Sequence, residues 1–423
     1  MVTRAIPAAP ERIAWTVLLG AFSSFVLLVG TILIGGRWWL QNSSVNQGIT
    51  MAPTGTVLVT RPGRTTPEVN LTDIPVGSII TTQDTAQASL TFMSVDGRQV
   101  LATVHVFGGT VLELNQADSP RYPTGIAPHR IGLRLTSGRV RATVGVDVPR
   151  EVRIQIQSDG SAITSMDVPG SNVSVDESGD PTITNVTVRE GQATVSALGT
   201  DIVLAKDKRA EVGPNATPAG PFSAEQNLIK NGDFTQPLTG TWSLDTRPPA
   251  DPQEDPGTAV VTTVDGRRTV DLNRSGTNWG HIGLTQVINL DVQGLTSLRL
   301  NMDIQIDGQD LHNCGLQGTE CPLIVKIVYI DVGGGAHEWL QGFYVLPDPN
   351  EANGKPYCVT CYPIQYTHLV WPYAKWQSFN SDDLLQMFAA SGTQAATLKT
   401  ITIYGEGHTF ESLFTDVQLL ANE

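Results

Sequence analysis

Aromatic side chains are concentrated in one short part of the sequence, residues 339–376. Three of the eight tryptophans and five of the eight tyrosines lie there. Flat rings stack on the apolar C–H face of a sugar, while amides and carboxylates bond its hydroxyl groups. The sequence therefore predicts a ligand-binding surface made from Trp339, Tyr344, Trp371, Tyr373 and Trp376. The alternative is that the rings fill a core, which is the commoner place for any single ring.

The four cysteines, Cys314, Cys321, Cys358 and Cys361, all lie in the last third of the chain. If this part is outside the membrane, two disulfides are expected, and any of the three pairings is possible. A zinc site made of the four thiolates is the alternative. Disulfides are favoured because the spacing from Cys314 to Cys321 is too long for a zinc knuckle.

Motifs of known catalytic sites are missing from the sequence. It contains no G-x-S-x-G, no H-E-x-x-H, no P-loop and no G-x-G-x-x-G before a helix. Asp382-Asp383 and Glu406 could be imagined as a glycosidase pair, but paired carboxylates are common in an acidic chain. We therefore expect a binding protein that is not an enzyme.

Composition and charge narrow the class of partner. The chain has 423 residues, which favours two or three domains, and a formal net charge of −14. The segment before residue 41 is basic, with Arg4, Arg12 and Arg37 against Glu11, so the rest of the chain is more acidic still. An acidic body repels phosphate backbones, and we do not expect nucleic acid as a partner.

An apolar run lies near the N-terminus. Residues 13–35 contain no charge over 23 positions, and a helix with a rise of about 1.5 Å per residue crosses a bilayer core at that length. Arg37, Trp38 and Trp39 follow, as basic and aromatic residues do at a membrane interface. A cleaved signal peptide is the alternative, but its apolar region is usually shorter. We predict an uncleaved single-pass anchor in the plasma membrane.

The arginines around this run predict its orientation. Arg4 and Arg12 precede it and Arg37 follows, which places residues 1–12 in the cytoplasm and the bulk of the chain outside. A tail of this length is too short to fold as a domain. The polar residues after the run, 36–54, are predicted to form a stalk.

From Gly55 the sequence is typical of an all-β fold. Runs such as IGLRLTSGRVRATVGV alternate apolar and polar residues, and many of the residues are β-branched. Asp-Gly, Ser-Gly and Glu-Gly pairs between the runs indicate turns. Residues 215–226, rich in Pro, Ala and polar residues, are predicted to link two β-domains, 55–214 and 227–423.

The first of these, residues 55–214, resembles the extracytoplasmic FecR-type domain of bacterial membrane regulators. Six stretches carry the resemblance in the order and spacing of that family: Gly55–Val59, Ile74–Thr81, Leu90–Gly97, Leu135–Val140, Gly170–Val175 and Val188–Val195. Ser171 stands where the family usually has Thr. Typical members also grip a sigma factor with a cytoplasmic domain, for which the predicted tail is too short. The resemblance therefore implies a protein-interaction or signal-relay surface.

Residues 227–423 resemble carbohydrate-binding, galactose-binding-like jelly rolls. NLIKNGDF (227–234), followed by GTWSL (240–244), is similar to the opening strand of such modules, and FTDVQLL (414–420) is similar to the closing strand. Related domains often hold a structural calcium ion between these strands, which implies Asp233 and Asp416 as ligands. Surface or turn carboxylates are the commoner alternative. No other cofactor is expected.

Together these features predict an all-β protein with a single N-terminal transmembrane helix, a FecR-like β-domain and a C-terminal β-sandwich jelly roll. We expect it to bind a glycan or another ligand of the bacterial cell envelope without catalysis. Two alternatives remain. One is a FecR-like transmembrane signalling regulator that acts through a partner protein, and the other is a structural component of the envelope.

Overall fold

The structure, a computed structural model, describes residues 10–122, 125, 127–159, 162–178, 182–349 and 368–423. A long helix, α1 (Pro10–Asn42), is followed almost wholly by strands, which confirms the predicted all-β class with one N-terminal helix. The described part also contains a short helix, α2 (Leu384–Ala390), and a 3₁₀ turn at His312–Cys314.

Seventeen strands follow α1 and make up a first β-region. They are β1 (Ser44–Asn46), β2 (Gly48–Thr54), β3 (Val57–Thr60), β4 (Glu68–Val69), β5 (Ile79–Thr82), β6 (Gln87–Met93), β7 (Val100–Val106), β8 (Val111–Pro120), β9 (His129–Val144), β10 (Val152–Ser158), β11 (Ile163–Met166), β12 (Asn172–Ser178), β13 (Ile183–Glu190), β14 (Gln192–Ala197), β15 (Thr200–Ala205), β16 (Lys208–Val212) and β17 (Ala219–Ser223). Their ladders are continuous and enclose a single hydrophobic core.

The longest of these strands, β9, connects the two halves of the first β-region. Its first half pairs with β8 and, in parallel, with β10, while its second half pairs with β7 and β12. The change of partners occurs at Gly138, which has a φ of +83°. A Cβ atom there would lie 2.4 Å from Thr110 Oγ1, so only glycine allows this crossing.

Helix α1 is connected to the first strand of the β-region by a single residue, Ser43. It is apolar over Ala14–Asn42 and is long enough, by length and composition, to cross a membrane. Beyond its end, the Ser43 N–H still donates to the Trp39 carbonyl at 3.0 Å. The ring of Trp39 lies 5.7 Å from that of Tyr122. The helix and the first strand are thus fixed to each other.

Two predicted connecting segments belong to the folded body, which corrects the sequence prediction. Of the predicted stalk, 36–54, the first part is helical and most of the rest forms β1 and β2, where Ile49 and Met51 are buried. The predicted linker, 215–226, contains β17, which pairs with β16. Both segments are polar in composition, and two or three alternating apolar residues are too weak a signal to predict a strand.

Twelve further strands make up a second β-region. They are β18 (Gln226–Asn227), β19 (Ser243–Arg247), β20 (Thr258–Val264), β21 (Arg267–Arg274), β22 (Gly280–Asp291), β23 (Ser297–Gln309), β24 (Leu323–Asp331), β25 (Ala336–Tyr344), β26 (Leu369–Val370), β27 (Gln377–Asn380), β28 (Ala395–Gly407) and β29 (Phe410–Asn422). Sheet I has the order β19-β22-β28-β24-β25-β26. Sheet II has the order β20-β21-β29-β23-β27, with β18 also paired to β29.

The two sheets pack face to face around a second hydrophobic core. Alternate residues of each strand point inward, such as Ile401 and Ile403 from sheet I and Leu298 and Leu300 from sheet II. The residues between them must then point outward. On sheet I this alternation places a row of polar side chains on the outer face of the sandwich.

The two β-regions contact each other through two buried arginines of β9. Arg141 donates to the Gly294 carbonyl at 2.8 Å, and Arg139 donates to the Gln293 carbonyl. The guanidinium of Arg139 also lies 3.4 Å from a carboxylate oxygen of Asp291 and 4.2 Å from the ring centre of Phe107. The contact is therefore held by charge-assisted hydrogen bonds as well as by packing.

Candidate functional site

Three of the five predicted ligand-binding rings lie inside the protein, which corrects the prediction for them. Trp339 is 0% exposed, Tyr344 3% and Trp371 6%. Trp339 and Trp371 belong to the core between the sheets, where the Trp371 indole N–H donates to the Ile304 carbonyl. The reason is the strand alternation, which turns Trp339 inward and its neighbour Leu340 outward. Buried rings offer no face to a sugar.

The other two predicted rings are accessible and lie beside sheet II. Tyr373 is 63% exposed, and Trp376 is half-buried. The guanidinium of Arg267 lies 5.3 Å from the centre of the Trp376 ring. Both residues stay candidates for ligand binding, at a place away from sheet I.

One disulfide is present among the described residues, between Cys314 and Cys321. This pairing engages two of the four thiols of the alternative zinc site in a covalent bond. Cys358 and Cys361 lie outside the described residues. The disulfide closes a loop of the chain, residues 314–321, which is called the disulfide loop below.

The predicted calcium ligands are surface residues, Asp233 in a turn after β18 and Asp416 in the middle of β29. Asp233 and Asp416 are both exposed, and the Val417 N–H donates to the Gly232 carbonyl at 3.0 Å, which brings the two segments side by side as expected. The Asp233 carboxylate accepts a hydrogen bond from the Thr235 hydroxyl at 3.0 Å. Calcium binding by this pair stays a prediction.

Asp383 has a structural role at the start of α2. Its carboxylate accepts hydrogen bonds from the N–H groups of Leu385 and Leu298, at 3.1 and 3.0 Å, which makes it the N-cap of the helix. Glu406 lies instead on β28, at the outer face of sheet I. The two carboxylates therefore serve different parts of the fold.

A cleft of about 550 Å³ lies on the outer face of sheet I, a volume in the usual range for ligand pockets. Its floor crosses five neighbouring strands, and one wall is the disulfide loop. The lining residues are Arg247, His281, Gly318, Thr319, Ile324, Lys326, Ala336, His337, Glu338, Leu340, His368, Tyr404 and Glu406.

Two stacked rings form the centre of the floor. The rings of His281 and Tyr404 lie 4.3 Å apart, and Lys326 Nζ lies 5.6 Å from the centre of the Tyr404 ring. Gly283 makes room for them, since a Cβ there would lie 2.4 Å from Tyr404 Cβ. Burial, and next the carboxylate of Glu406, raise the pKa of Tyr404. Its hydroxyl therefore stays protonated and can donate a hydrogen bond.

Glu406 is held in a fixed position at one end of the floor. Its Oε1 accepts a hydrogen bond from the Trp279 indole N–H at 3.0 Å, and its Oε2 lies 3.1 Å from His281 Nδ1. On the other side, His281 Nε2 lies 3.2 Å from Asp245 Oδ2. The imidazole is thus placed between two carboxylates from different strands.

The two cations of the cleft are left available to a ligand. Within the part of the chain that the structure describes, neither Arg247 nor Lys326 makes an ion pair. Arg247 is exposed on the edge strand β19, and Lys326 is half-buried on β24. Both line the cleft together with Glu338, whose side chain is exposed. The cleft therefore offers donors and acceptors side by side.

The wall of the cleft is attached to the floor by the disulfide and by His368. The disulfide packs with Ile324, Leu340, Tyr344 and Tyr404 in a small apolar cluster on the outer face. The buried ring of His368 donates from Nε2 to the Gly318 carbonyl at 2.6 Å and accepts at Nδ1 from the Gly342 N–H at 2.9 Å. It thereby joins the disulfide loop to β25.

Sequence reasoning missed His281, Lys326, Tyr404 and Glu406 as members of one site. A signal was present, because charged or ring residues interrupt apolar alternation in IVKIVY (324–329) and TITIYGEG (400–407). A polar or ring residue between two inward-facing apolar residues lies on the outer face of the sheet, where these four side chains meet. The predicted ligand-binding surface was chosen because aromatic residues are dense in 339–376. Most of the rings chosen there are buried.

Comparisons with known proteins give distant likenesses to solved structures. No protein-family model matches the chain, and no curated protein matches it. A Parabacteroides distasonis protein, provisionally classed as an anti-sigma factor, is 19% identical with a TM-score of 0.25, covering 40% of this chain and 68% of that one.

Carbohydrate-binding modules are also similar. A family 11 module of a cellulosomal cellulase of Clostridium thermocellum is 11% identical with a TM-score of 0.27, covering 46% of this chain and 93% of the module. A family 30 carbohydrate-binding module is 12% identical with a TM-score of 0.23, covering 47% of this chain and 88% of the module. Likenesses this distant do not bear on what the chain binds.

Proposed function

We propose that the chain is a membrane-anchored binding protein whose cleft on sheet I holds a glycan without chemical change. The observation that carries the proposal is the cleft itself, a walled floor that brings the charged side chains of Arg247, Lys326 and Glu338 together above the buried ring of Tyr404. Sugars need donors and acceptors side by side, because each unit presents a rim of hydroxyl groups that both donate and accept hydrogen bonds.

The shape of the floor favours an oligosaccharide over a single sugar. From β19 to β25 it crosses five strands, and four strand spacings of about 4.8 Å make roughly 19 Å. A ligand of that length would contact Arg247 at one end and Glu338 at the other. Its middle units would lie over Tyr404 and Lys326.

Binding without catalysis is supported by the state of Glu406. Both oxygens of its carboxylate already have partners, Trp279 and His281, and a carboxylate held in this way suits a fixed hydrogen-bond acceptor. We propose no catalytic residue. Measuring reducing ends after incubation with each bound glycan tests this, and any release of sugar would show that the chain is an enzyme.

The membrane part of the proposal rests on α1. We propose that it spans the plasma membrane once, with residues 1–12 in the cytoplasm and both β-regions outside. Protease treatment of intact cells should then remove the second β-region. If that region is spared while a cytoplasmic marker is also spared, the orientation is the reverse.

A second candidate function is supported by hydrogen bonds that connect the second β-region to the first and the first to the helix. Arg139 and Arg141 join the two β-regions, and Ser43 joins the first of them to α1. Such a path suits a regulator that passes a binding event to a partner in the membrane. Capture of a membrane partner that changes with bound glycan, and is lost in Arg139→Ala, would support this role.

The experiment that tests the main proposal is a glycan array probed with the full chain in lipid nanodiscs. We expect saturable binding to a limited group of oligosaccharides, and loss of that binding in Lys326→Ala. Arg299→Ala, an exposed cation on sheet II, is the matched control and should bind as the unchanged chain does. Absence of any saturable signal would contradict the proposal.

A further inference from the structure

We propose that His368 positions the wall of the cleft, and that it can do so only while its imidazole is neutral. Acidification would then release the wall and weaken ligand binding. The inference rests on the glycan-binding function proposed above and adds a pH dependence to that same site.

The hydrogen bonds of His368 fix one protonation state. The Gly318 carbonyl can only accept, so Nε2 must carry a hydrogen across the 2.6 Å that separates them. The Gly342 N–H can only donate, so Nδ1 must present its lone pair at 2.9 Å. Only the neutral tautomer with the proton on Nε2 meets both conditions.

A second proton would break this arrangement. It would add an N–H at Nδ1 directly against the Gly342 N–H, and two donors facing each other in a buried place repel. The ring is only 4% exposed, so water cannot easily replace the lost acceptor. The ring would have to move away from β25.

The surroundings leave the ring little room to adjust. Gly342 lies so close that a Cβ there would be 2.5 Å from both His368 Nδ1 and Cys321 Sγ. The disulfide loop is thus held at its two ends by the Cys314–Cys321 bond and near its middle by His368. Movement of the imidazole frees Gly318 and Thr319, which line the cleft.

The pKa of His368 agrees with this geometry. Burial lowers it from the ordinary value of 6.5, and the hydrogen bond to Gly318 opposes that shift less strongly. Because the folded protein favours the neutral form, the attachment is complete above about pH 6.5 and is lost as the pH falls through the lowered pKa.

Other titratable groups share the cleft, and the test must separate them from His368. On the elements around the ring they are His281, Lys326, His337, Glu338, Tyr404 and Glu406. The disulfide loop adds Glu320, whose pKa is raised chiefly by burial. Changes at His368 itself therefore decide the assignment.

The first test is a pH series of glycan affinity with the full chain in nanodiscs. As the pH falls from about 7.5 through the lowered pKa of His368, over the range in which the chain stays folded by circular dichroism, the dissociation constant should rise about tenfold or more, as expected for the loss of a buried hydrogen bond. His368→Asn and His368→Gln should bind more weakly at pH 7.5 and show no further acid loss. His105→Asn, an exposed histidine of the first β-region, should behave as the unchanged chain does.

The second test needs no ligand and separates failure of this inference from failure of the proposed function. Amide hydrogen exchange of the peptides containing Gly318 and Gly342, corrected for intrinsic rates, should accelerate at least about tenfold in acid. The same peptides should exchange fast at all pH values in both His368 variants.

The two tests together distinguish failure of the proposed function from failure of the inference about His368. If no glycan binds but exchange shows the acid transition, the positioning role stands and the proposed function fails. If glycan binding is found and neither affinity nor exchange changes with pH, the proposed function stands and the inference about His368 is overturned. An equal acid loss in the His368 variants would also overturn it.

Discussion

The two sheets of the second β-region follow the same alternation, yet their outer faces differ in the cleft on sheet I and in the partners of their charged residues. On sheet I, Arg247 and Lys326 make no ion pair among the described residues and lie beside a walled cleft. On sheet II, Arg267 pairs with Asp303 and covers the ring of Trp376. Sheet I therefore combines two cations that lack an ion pair in the described part of the chain with a walled cleft, whereas the rings beside sheet II lie next to an arginine that is already paired.

The carboxylates of the two faces also differ. On sheet I, Glu406 is fixed by Trp279 and His281. On sheet II, burial raises the pKa values of Asp271 and Glu411, and repulsion from Asp307 adds to both shifts. That face gathers negative charge around Asp271, Asp307 and Glu411, although it also carries Arg267 and the exposed Arg299.

The largest effect that tests this comparison is expected from the double variant Lys326→Ala/Glu406→Gln. It removes a free donor and the fixed acceptor from the floor, and we expect about a 100-fold loss of glycan affinity by isothermal titration. The matched variant Arg267→Ala/Asp303→Asn on sheet II should change affinity by less than about twofold. Equal losses in the two would remove the distinction between the faces.

Removing the disulfide should have the next largest effect. Cys314→Ala/Cys321→Ala frees a loop whose ends are 7 positions apart, which should lower the free energy of unfolding by about 2–3 kcal/mol. Affinity should fall about thirtyfold because the wall then keeps only its attachment through His368. Denaturant titration and binding measure the two effects, and an unchanged affinity would show that the wall does not contact the ligand.

Gly283→Ala should act more weakly, by displacing the Tyr404 ring from the floor. Overpacking of this kind costs about 1–3 kcal/mol of stability, and we expect about a fivefold loss of affinity. Gly213→Ala, where the nearest atom to a new Cβ is 3.8 Å away, is the control. If Gly283→Ala binds normally, the position of Tyr404 does not matter for the ligand.

The smallest effect is expected from Tyr373→Ala/Trp376→Ala, the accessible rings beside sheet II. Affinity should change by less than about twofold, because these rings lie away from the cleft. A loss of affinity of about tenfold or more would show that the glycan binds at sheet II. It would then support the prediction that the aromatic residues of 339–376 bind the ligand.

The sequence predicted the all-β class and the long apolar helix well, because periodicity and apolar length are local signals. It did not predict which rings are buried, since Trp339 and Trp371 are placed by the packing of two sheets. The cleft was missed because Arg247, His281, Lys326 and Tyr404 come from four strands whose order depends on pairing between distant segments. The strands at 48–54 and 219–223 were also not predicted, because the segments that contain them are polar in composition.

The most direct test of the account is to locate a bound glycan on the full chain with a photoreactive oligosaccharide chosen from the array. Mass spectrometry of the cross-linked peptides should place the label on β22, β24 or β28, with competition by the unlabelled sugar. Competed labelling of the peptide that contains Tyr373 and Trp376, with none on sheet I, would contradict the account.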